Sequence, residues 1–566
     1  MQYSGKIVDH LGLVAGMIDE LGIVDSIDNA IDQDKEKRHV SIGECVKAMI
    51  INGLGFTGKP LYLTPDFYKP LPVNLLIKEG ITAEHLNDNT LGRTMDILYE
   101  NGVSELFSLI SAKAFHSLNL QPEFGHLDST SMSVYGKNYT PRLEGNSKDE
   151  DNPKVAIELT YGFSKNHRPD LLQCMLEMIV DNRAGIPMAM KPLSGNSSDK
   201  TSFVKNIEMH IDSLLHTTEK KIVVDSALYS KENLSSDAFK NLTWITRVPE
   251  SIQEAKEAIA SSVPQAMRIM QSDGENQENT ASFLNDDTTQ AYAYRTYISE
   301  YAGIKQQWIV VYSKAARERS LHTLQRQFDA LNQKEMKLIQ KFQKEEFACE
   351  SDMNKALFAM QKKLKSIEII TTKSVKKGRY FKAGRPSKKV EKKYDYYVYS
   401  SSFTLASSLQ SFYNRLHQKS HFVLATNDLT LEPKKIFNNY KNQYIVERGF
   451  RFLKGKEFLS DAIFLKSPER IEALLFIMTL SLMVYAALEY RIREELSKTK
   501  STIPDQKGKP TSTPTARWVF HYFIGIQMLI IDETQHIMMN LNDVHRLIIS
   551  LLGKRYLDIY LIAEEV

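Results

Sequence analysis

Phe437-Asn-Asn-Tyr440-Lys-Asn-Gln443-Tyr-Ile-Val446-Glu447-Arg448-Gly-Phe450-Arg451-Phe-Leu453-Lys454 is the stretch on which the reading of this chain turns. As one helix, in which residues three, four and seven apart share a face, it sorts its side chains into two stripes. Tyr440, Gln443, Glu447, Arg451 and Lys454 fall on one stripe; Val446, Phe450 and Leu453, flanked by Ile445 and Phe452, fall on the other. The second stripe suits a core. The first sets a carboxylate among cations, an arrangement fitted to a metal ion beside a polyphosphate, because the metal needs the carboxylate and the phosphates need the cations. A surface helix with ordinary salt pairs accounts for the same pattern, so the decision rests on the rest of the chain.

A length of 566 residues exceeds one ordinary domain, and 42% hydrophobic with 25% charged is the mixture of a soluble globular protein of three or four units. The longest apolar run, 473–488, is interrupted by Thr479 and Ser481 and followed by Glu489, Arg491 and Arg493. It reads as a buried helix, and no membrane partner is expected. The opening Met-Gln-Tyr-Ser-Gly-Lys lacks a basic region followed by an apolar one, which points to the cytoplasm, beside the nucleoid if DNA is the partner. Cys45, Cys174 and Cys349 lie far apart without CxxC spacing, so buried hydrophobes are expected rather than disulfides or a zinc site. A net charge of +3 means that any nucleic-acid footprint must be a local concentration of charge.

Residues 1–118 read as helical. Gly43 to Ile51 carries an apolar helical stripe closed by Gly53, Asn87 and Asp88 offer a cap to a helix through Leu98, and another helix runs from Val103 to Leu118. Such an array could bind DNA ends or dimerise. From residue 119 the pattern turns to strands: Phe124 to Val134, Lys154 to Phe163 and Leu171 to Val180 suggest an antiparallel meander. A turn-rich stretch, 185–199, leads to a helix over about 201–215. The apolar run Lys221-Ile-Val-Val-Asp225 then reads as a buried parallel strand. A helix near 231–239 and a strand at 242–248 complete a mixed sheet in which the first and fourth strands can lie side by side.

Residues 249–400 interrupt this core. They hold a polar stretch (271–290), strands at 291–298 and 307–312, and helical periodicity over 315–366 with a break near Cys349, which reads as a helical hairpin. Residues 362–393 then carry thirteen Lys or Arg against two Glu, an excess of eleven positive charges that includes Lys388, Lys389, Lys392 and Lys393. Such a basic loop is expected to make salt-dependent phosphate contacts. Residues 401–490 return to the core with the Glu447 helix, and 491–566 read as a helical C-terminal region.

Asp128 sits within the first strand and Asp225 at the end of the fourth. On neighbouring strands about 4.8 Å apart, with Glu447 arriving from a helix, they would form a carboxylate cluster that only cations make affordable. Hard oxygen donors favour two Mg²⁺ or Mn²⁺ ions, which activate water or a DNA 3′-hydroxyl for in-line phosphoryl displacement.

Here the sequence resembles the DDE transposases of bacterial insertion sequences, in the branch marked by Tyr, two residues, Arg, three residues, Glu, six residues, Lys. Tyr440, Glu447 and Lys454 match that signature, while Gln443 stands in the Arg slot, where Arg448 or Arg451 could substitute. Leu127-Asp128-Ser-Thr-Ser resembles the first acidic motif and Val224-Asp225-Ser-Ala-Leu-Tyr229 the second. Thr426-Asn427-Asp428 and Ser467-Pro-Glu-Arg470-Ile-Glu-Ala resemble flanking segments. The resemblance implies an α/β, RNase H-like catalytic core with two divalent ions, and an insertion between Asp225 and Glu447. It implies DNA-contacting residues at Tyr440, Gln443, Arg448, Arg451 and Lys454, with Trp308, or else Trp244, stacking on an extruded base. It further implies cleavage at terminal inverted repeats, strand transfer into target DNA, and a homodimer holding both double-stranded ends. Two other readings remain: a catalytically silent DNA-binding or assembly protein, and a metal nuclease that cuts without joining.

Overall fold

The computed structural model describes residues 2–33, 38–56, 63–135, 156–162, 168–197, 221–240, 242–262, 267–270, 292–381, 394–455, 463, 465, 467–532 and 534–562. The chain divides into two compact units: Met1–Thr246 with Glu300–Lys305 and Thr426–Val566, and Arg247–Ser299 with Gln306–Ala425.

The first unit opens on a short strand, β1 (Tyr3–Ile7), and continues in helices. Ser41 caps the helix Ile42–Leu54 through a capping box with Glu44, and the Asn87 side chain caps Asp88–Glu100. These helices pack against Pro468–Lys498, the central helix of the unit, whose residues from Leu475 to Leu488 are almost all buried. That helix is long and apolar enough to cross a membrane, yet it is a core helix here. At its start the Arg470 guanidinium grips Asp96 through two hydrogen bonds of 2.7 and 2.8 Å, and further along Phe476 meets Phe107 edge to face.

The sheet of this unit contains β2 (Gly125–Val134), β3 (Leu172–Asp181), β4 (Pro187–Ser194), β5 (Lys221–Val224) and β6 (Thr243–Arg247), in the order β4-β3-β2-β5-β6. The first three strands form an antiparallel meander; β5 lies parallel to β2, and β6 parallel to β5. This is an RNase H-like mixed sheet. The expected pairing of first and fourth strands is present, but the meander differs. Residues 156–162 contribute only a single bridge, Thr160 to Gln173, and the third strand is β4, which the sequence presented as turn. Pro187 and Pro192 hid it, and both are tolerated because β4 is the edge strand. The link before it is tight. Asp181 accepts the amides of Arg183 and Ala184, and Gly185 takes φ +72.

The N-terminal region is not purely helical, nor is the C-terminal one. β1 pairs antiparallel with Gln527–Ile531, which turns back onto Gln535–Met539, so the two ends of the chain share a three-stranded sheet. Five-residue strands without sustained alternation leave no periodic signal.

The second unit holds β7 (Arg268–Ile269), β10 (Ile367–Arg379), β11 (Tyr396–Ser407) and most of β8 (Tyr292–Tyr301), β9 (Ile304–Ser313) and β12 (His421–Thr426). The expected helical hairpin is Lys314–Gln343 followed by Glu350–Gln361. Residues 367–379, expected within a basic loop, instead form β10, paired with β11 from Ile367↔Ser407 to Arg379↔Tyr396 in a long two-stranded ribbon. Its root packs on the hairpin through Ile339, Phe342, Leu357, Met360 and Ile367. Lys388, Lys389, Lys392 and Lys393 lie outside the described residues, as do the polar stretch 271–290 and the expected helix over 201–215.

Candidate active site

In the β2–β5 pair, Gly125 stands opposite Ile222 and His126 opposite Val223. Carried two residues on, that register sets Asp128 beside Asp225, on backbones about 4.8 Å apart. Asp225 keeps extended dihedrals (φ −71°, ψ 160°), so the alternation of side chains continues through it. Asp128 is half-buried and Asp225 exposed. One oxygen of each carboxylate is held by the next backbone amide, Ser129 N–H at 2.8 Å and Ser226 N–H at 2.5 Å. The Thr246 hydroxyl donates to the Asp225 carbonyl from β6 at 3.2 Å, fixing the strand end.

The Glu447 helix (Tyr444–Leu453) lies over the face to which Asp128 points. Thr130 shares that face, two residues on, and its hydroxyl accepts a hydrogen bond from Lys454 Nζ at 2.6 Å. Met178, opposite Asp128 on β3, brings its methyl within 3.9 Å of where a Cβ on Gly449 would sit. Val446, Gly449, Phe450 and Leu453 are buried, while Glu447 and Arg451 are exposed. The two-stripe reading therefore holds from Tyr444 to Lys454. It does not extend back to Tyr440. The backbone ladder switches to i→i+3 bonds through Asn442 and Gln443, and Tyr440 belongs to a separate helix, Pro433–Lys441. Gln443 sits at this bend and makes no side-chain cap.

Gly449 is where the helix is pressed closest, because the position of a Cβ there is also 3.0 Å from Leu482. Gly449→Val is expected to cost about 1–3 kcal/mol by overpacking, read as a lower midpoint of thermal unfolding.

The Arg448 guanidinium, half exposed, reaches the buried Glu489 at 3.4 Å, and Glu489 also accepts from Arg493 at 2.9 Å and from the Ala516 amide at 2.9 Å. Arg448 thus anchors the Glu447 helix to the central helix. Trp308 is 2% exposed in β9, its indole N–H donating to Gln306, so it has no face free for a base. Trp244 is fully buried in β6 and cannot replace it. Asn427, in turn, has a structural task, accepting from the Trp244 amide and donating to the Leu242 carbonyl.

Two residues escaped the sequence reading. Thr130, the partner of Lys454, is one; nothing in a Ser/Thr-rich strand distinguishes it. The other is His126, two residues before Asp128 on the same face, fully buried, with no hydrogen-bond partner for either ring nitrogen among the described residues. Burial pushes its pKa down to about 4, so it stays neutral at physiological pH.

Asp128, Asp225 and Glu447 carry hard oxygen donors of the kind a divalent ion takes. Among the described residues no three carboxylate, imidazole or thiolate side chains converge to coordination distance.

The site therefore consists of an RNase H-like sheet with Asp128 within β2 and Asp225 just after β5, and the Glu447 helix above it. Residues 120–484 match the family model described as a transposase DDE domain, and the chain belongs to that family. Residues 3–112 match a domain of unknown function, DUF4277. No curated protein matches. Among solved structures, a cryo-EM structure of a piggyBac transposase synaptic complex with hairpin DNA is similar at 9% identity and a TM-score of 0.36, covering 92% of this chain and 82% of that one.

Proposed function

We propose that this transposase binds the terminal inverted repeats of an insertion sequence, cleaves the DNA there and joins the freed ends to target DNA. The observation that carries the reading is the parallel pairing of β2 and β5, in register at Gly125–Ile222 and His126–Val223, two residues before Asp128 and Asp225. In this reading Asp128, Asp225 and Glu447 hold divalent ions, Mg²⁺ or Mn²⁺, for which their donor set is suited. When bound, two such ions activate the attacking oxygen and stabilise the leaving one. In this reading Lys454, held against Thr130 two residues on from Asp128, would meet a phosphate of the bound DNA. Arg451, exposed on the same helix, extends that cationic edge, with Tyr440 and Gln443 beyond the bend. Arg448 keeps the helix in place through Glu489, so its effect on DNA contact is indirect. Bringing two element ends together calls for a homodimer.

The deciding experiment uses labelled duplexes carrying the element's own terminal repeat, with Mg²⁺ and a circular target. Cut ends joined to the target support the reading. Cutting without joining would reduce it to a nuclease, and binding without cutting to an assembly protein.

Lys388, Lys389, Lys392 and Lys393 are expected to meet phosphates. Replacing all four with Ala should flatten the plot of log affinity against log salt by up to about 0.9 for each phosphate no longer neutralised, measured by fluorescence anisotropy. An unchanged slope would leave that segment without a DNA role.

A further inference from the structure

The β10–β11 ribbon carries an aromatic face with no partner in the core. By strand alternation, Tyr397 and Tyr399 project to one side of β11, where their cross-strand partners are Gly378 and Lys376. Gly378 is essential to that face: a Cβ there would collide with the ring of Tyr394, which lies flat across the ribbon at this point. Tyr394 meets Tyr397 at 5.9 Å and Tyr380 at 5.2 Å between ring centres, and Lys376 Nζ stands 4.2 Å from the Tyr397 ring centre. On the opposite side Phe381 meets Tyr396 at 5.3 Å. These rings are not core. Tyr394 is 44% exposed, Tyr397 47% and Phe381 82%. The two strands also carry Lys373, Lys376, Lys377 and Arg379 against one acidic residue, Glu368.

We propose that this face of the ribbon binds single-stranded DNA, with Tyr394 and Tyr397 stacking on unpaired bases and Lys376, which shares their face, meeting the phosphates. The inference rests on the reading of the chain as DNA-acting and adds the form of DNA that this surface takes. Charge selects a polyanion. The rings select its unpaired form, because a duplex hides its base faces between neighbouring pairs and leaves only edges and phosphates to a ribbon, whereas a single strand offers a π-face at every base.

The test is binding by the full chain of a fluorescent oligothymidylate and, separately, of a mixed-sequence duplex without element ends. Pairing Tyr394→Ala with Tyr397→Ala should weaken oligothymidylate binding roughly tenfold or more and leave duplex binding nearly unchanged, while Tyr394→Phe with Tyr397→Phe should retain the wild-type affinity. Gly378→Val, which displaces Tyr394, should act in the same direction as the Ala pair. The proposal is overturned if the Ala pair binds oligothymidylate like wild type or if single-strand and duplex affinities fall together. A change of oligomeric state by light scattering without loss of single-strand binding also overturns it, since the face would then join copies of this chain. None of these readouts requires cutting, so failure of end cleavage would sink the proposed function without touching this result.

Discussion

Replacing Asp225 with Asn is expected to lower metal-dependent cutting of an end-bearing duplex by about a thousandfold or more, because loss of an anionic metal ligand removes several kcal/mol of transition-state stabilisation. The substitution is close to isosteric, and the amide oxygen can still accept from the Ser226 N–H that holds the present carboxylate. Asp225 is exposed, so the change leaves the core packing intact and folding should be unchanged. Binding should also survive, because removing a negative charge next to DNA phosphates does not oppose association. Cleavage and anisotropy on the same preparation separate these effects. Cutting at the wild-type rate by Asp225→Asn would remove that residue from the active site, and loss of binding along with cutting would point to a damaged fold instead.

How much of this was legible in the sequence depended on the range of each signal. The β-rich run around Asp128 and the apolar run before Asp225 are local signals, and they sufficed to find two strands that are neighbours in the sheet. The stripe Val446, Phe450, Leu453 likewise located the buried face of the Glu447 helix. What failed was decided by contacts distant in sequence. The bend at Asn442–Gln443 lies inside a continuous helical pattern, since a switch from i→i+4 to i→i+3 bonding changes no residue type. The link from Arg448 to Glu489 was not legible, because that carboxylate is 41 residues away. The family resemblance invited a stacking role for Trp308, but only the structure shows it buried. The basic stretch was read by charge alone, and its tyrosines acquired meaning once β10 and β11 were paired, because register decides which of them share a face.

Glu335→Ala is expected to destabilise the second unit by about 3–5 kcal/mol, the largest stability loss foreseen for one side chain here. Glu335 is a buried carboxylate on the long hairpin helix, only 5% exposed. One oxygen accepts from the Lys365 amide at 2.8 Å; the other accepts from the Ser366 amide at 2.9 Å, the Ser366 hydroxyl at 2.8 Å and the Ile367 amide at 3.1 Å. A single side chain thus satisfies three successive backbone donors where the chain leaves the hairpin and enters β10. Glu335→Gln should fall between wild type and Ala, since it keeps one acceptor oxygen but turns an NH₂ toward donors that need an acceptor. Burial pushes the Glu335 pKa up, yet the Ser366 amide and hydroxyl and the neighbouring amides outweigh it and leave the group below its ordinary value. A depressed folded pKa means that this stabilisation is fully present at neutral pH and is lost as pH falls below the ordinary glutamate range. Urea unfolding followed by tyrosine near-UV signals, at neutral and acidic pH, measures both effects. The gap between wild type and Glu335→Ala should narrow in acid, and a gap independent of pH would show that the loss comes from packing rather than from the charged acceptor. The exposed Tyr394 and Tyr397 substitutions should leave the same transition nearly unmoved, because the ribbon is held at its root by Glu335 and the hairpin core, not by the rings on its face.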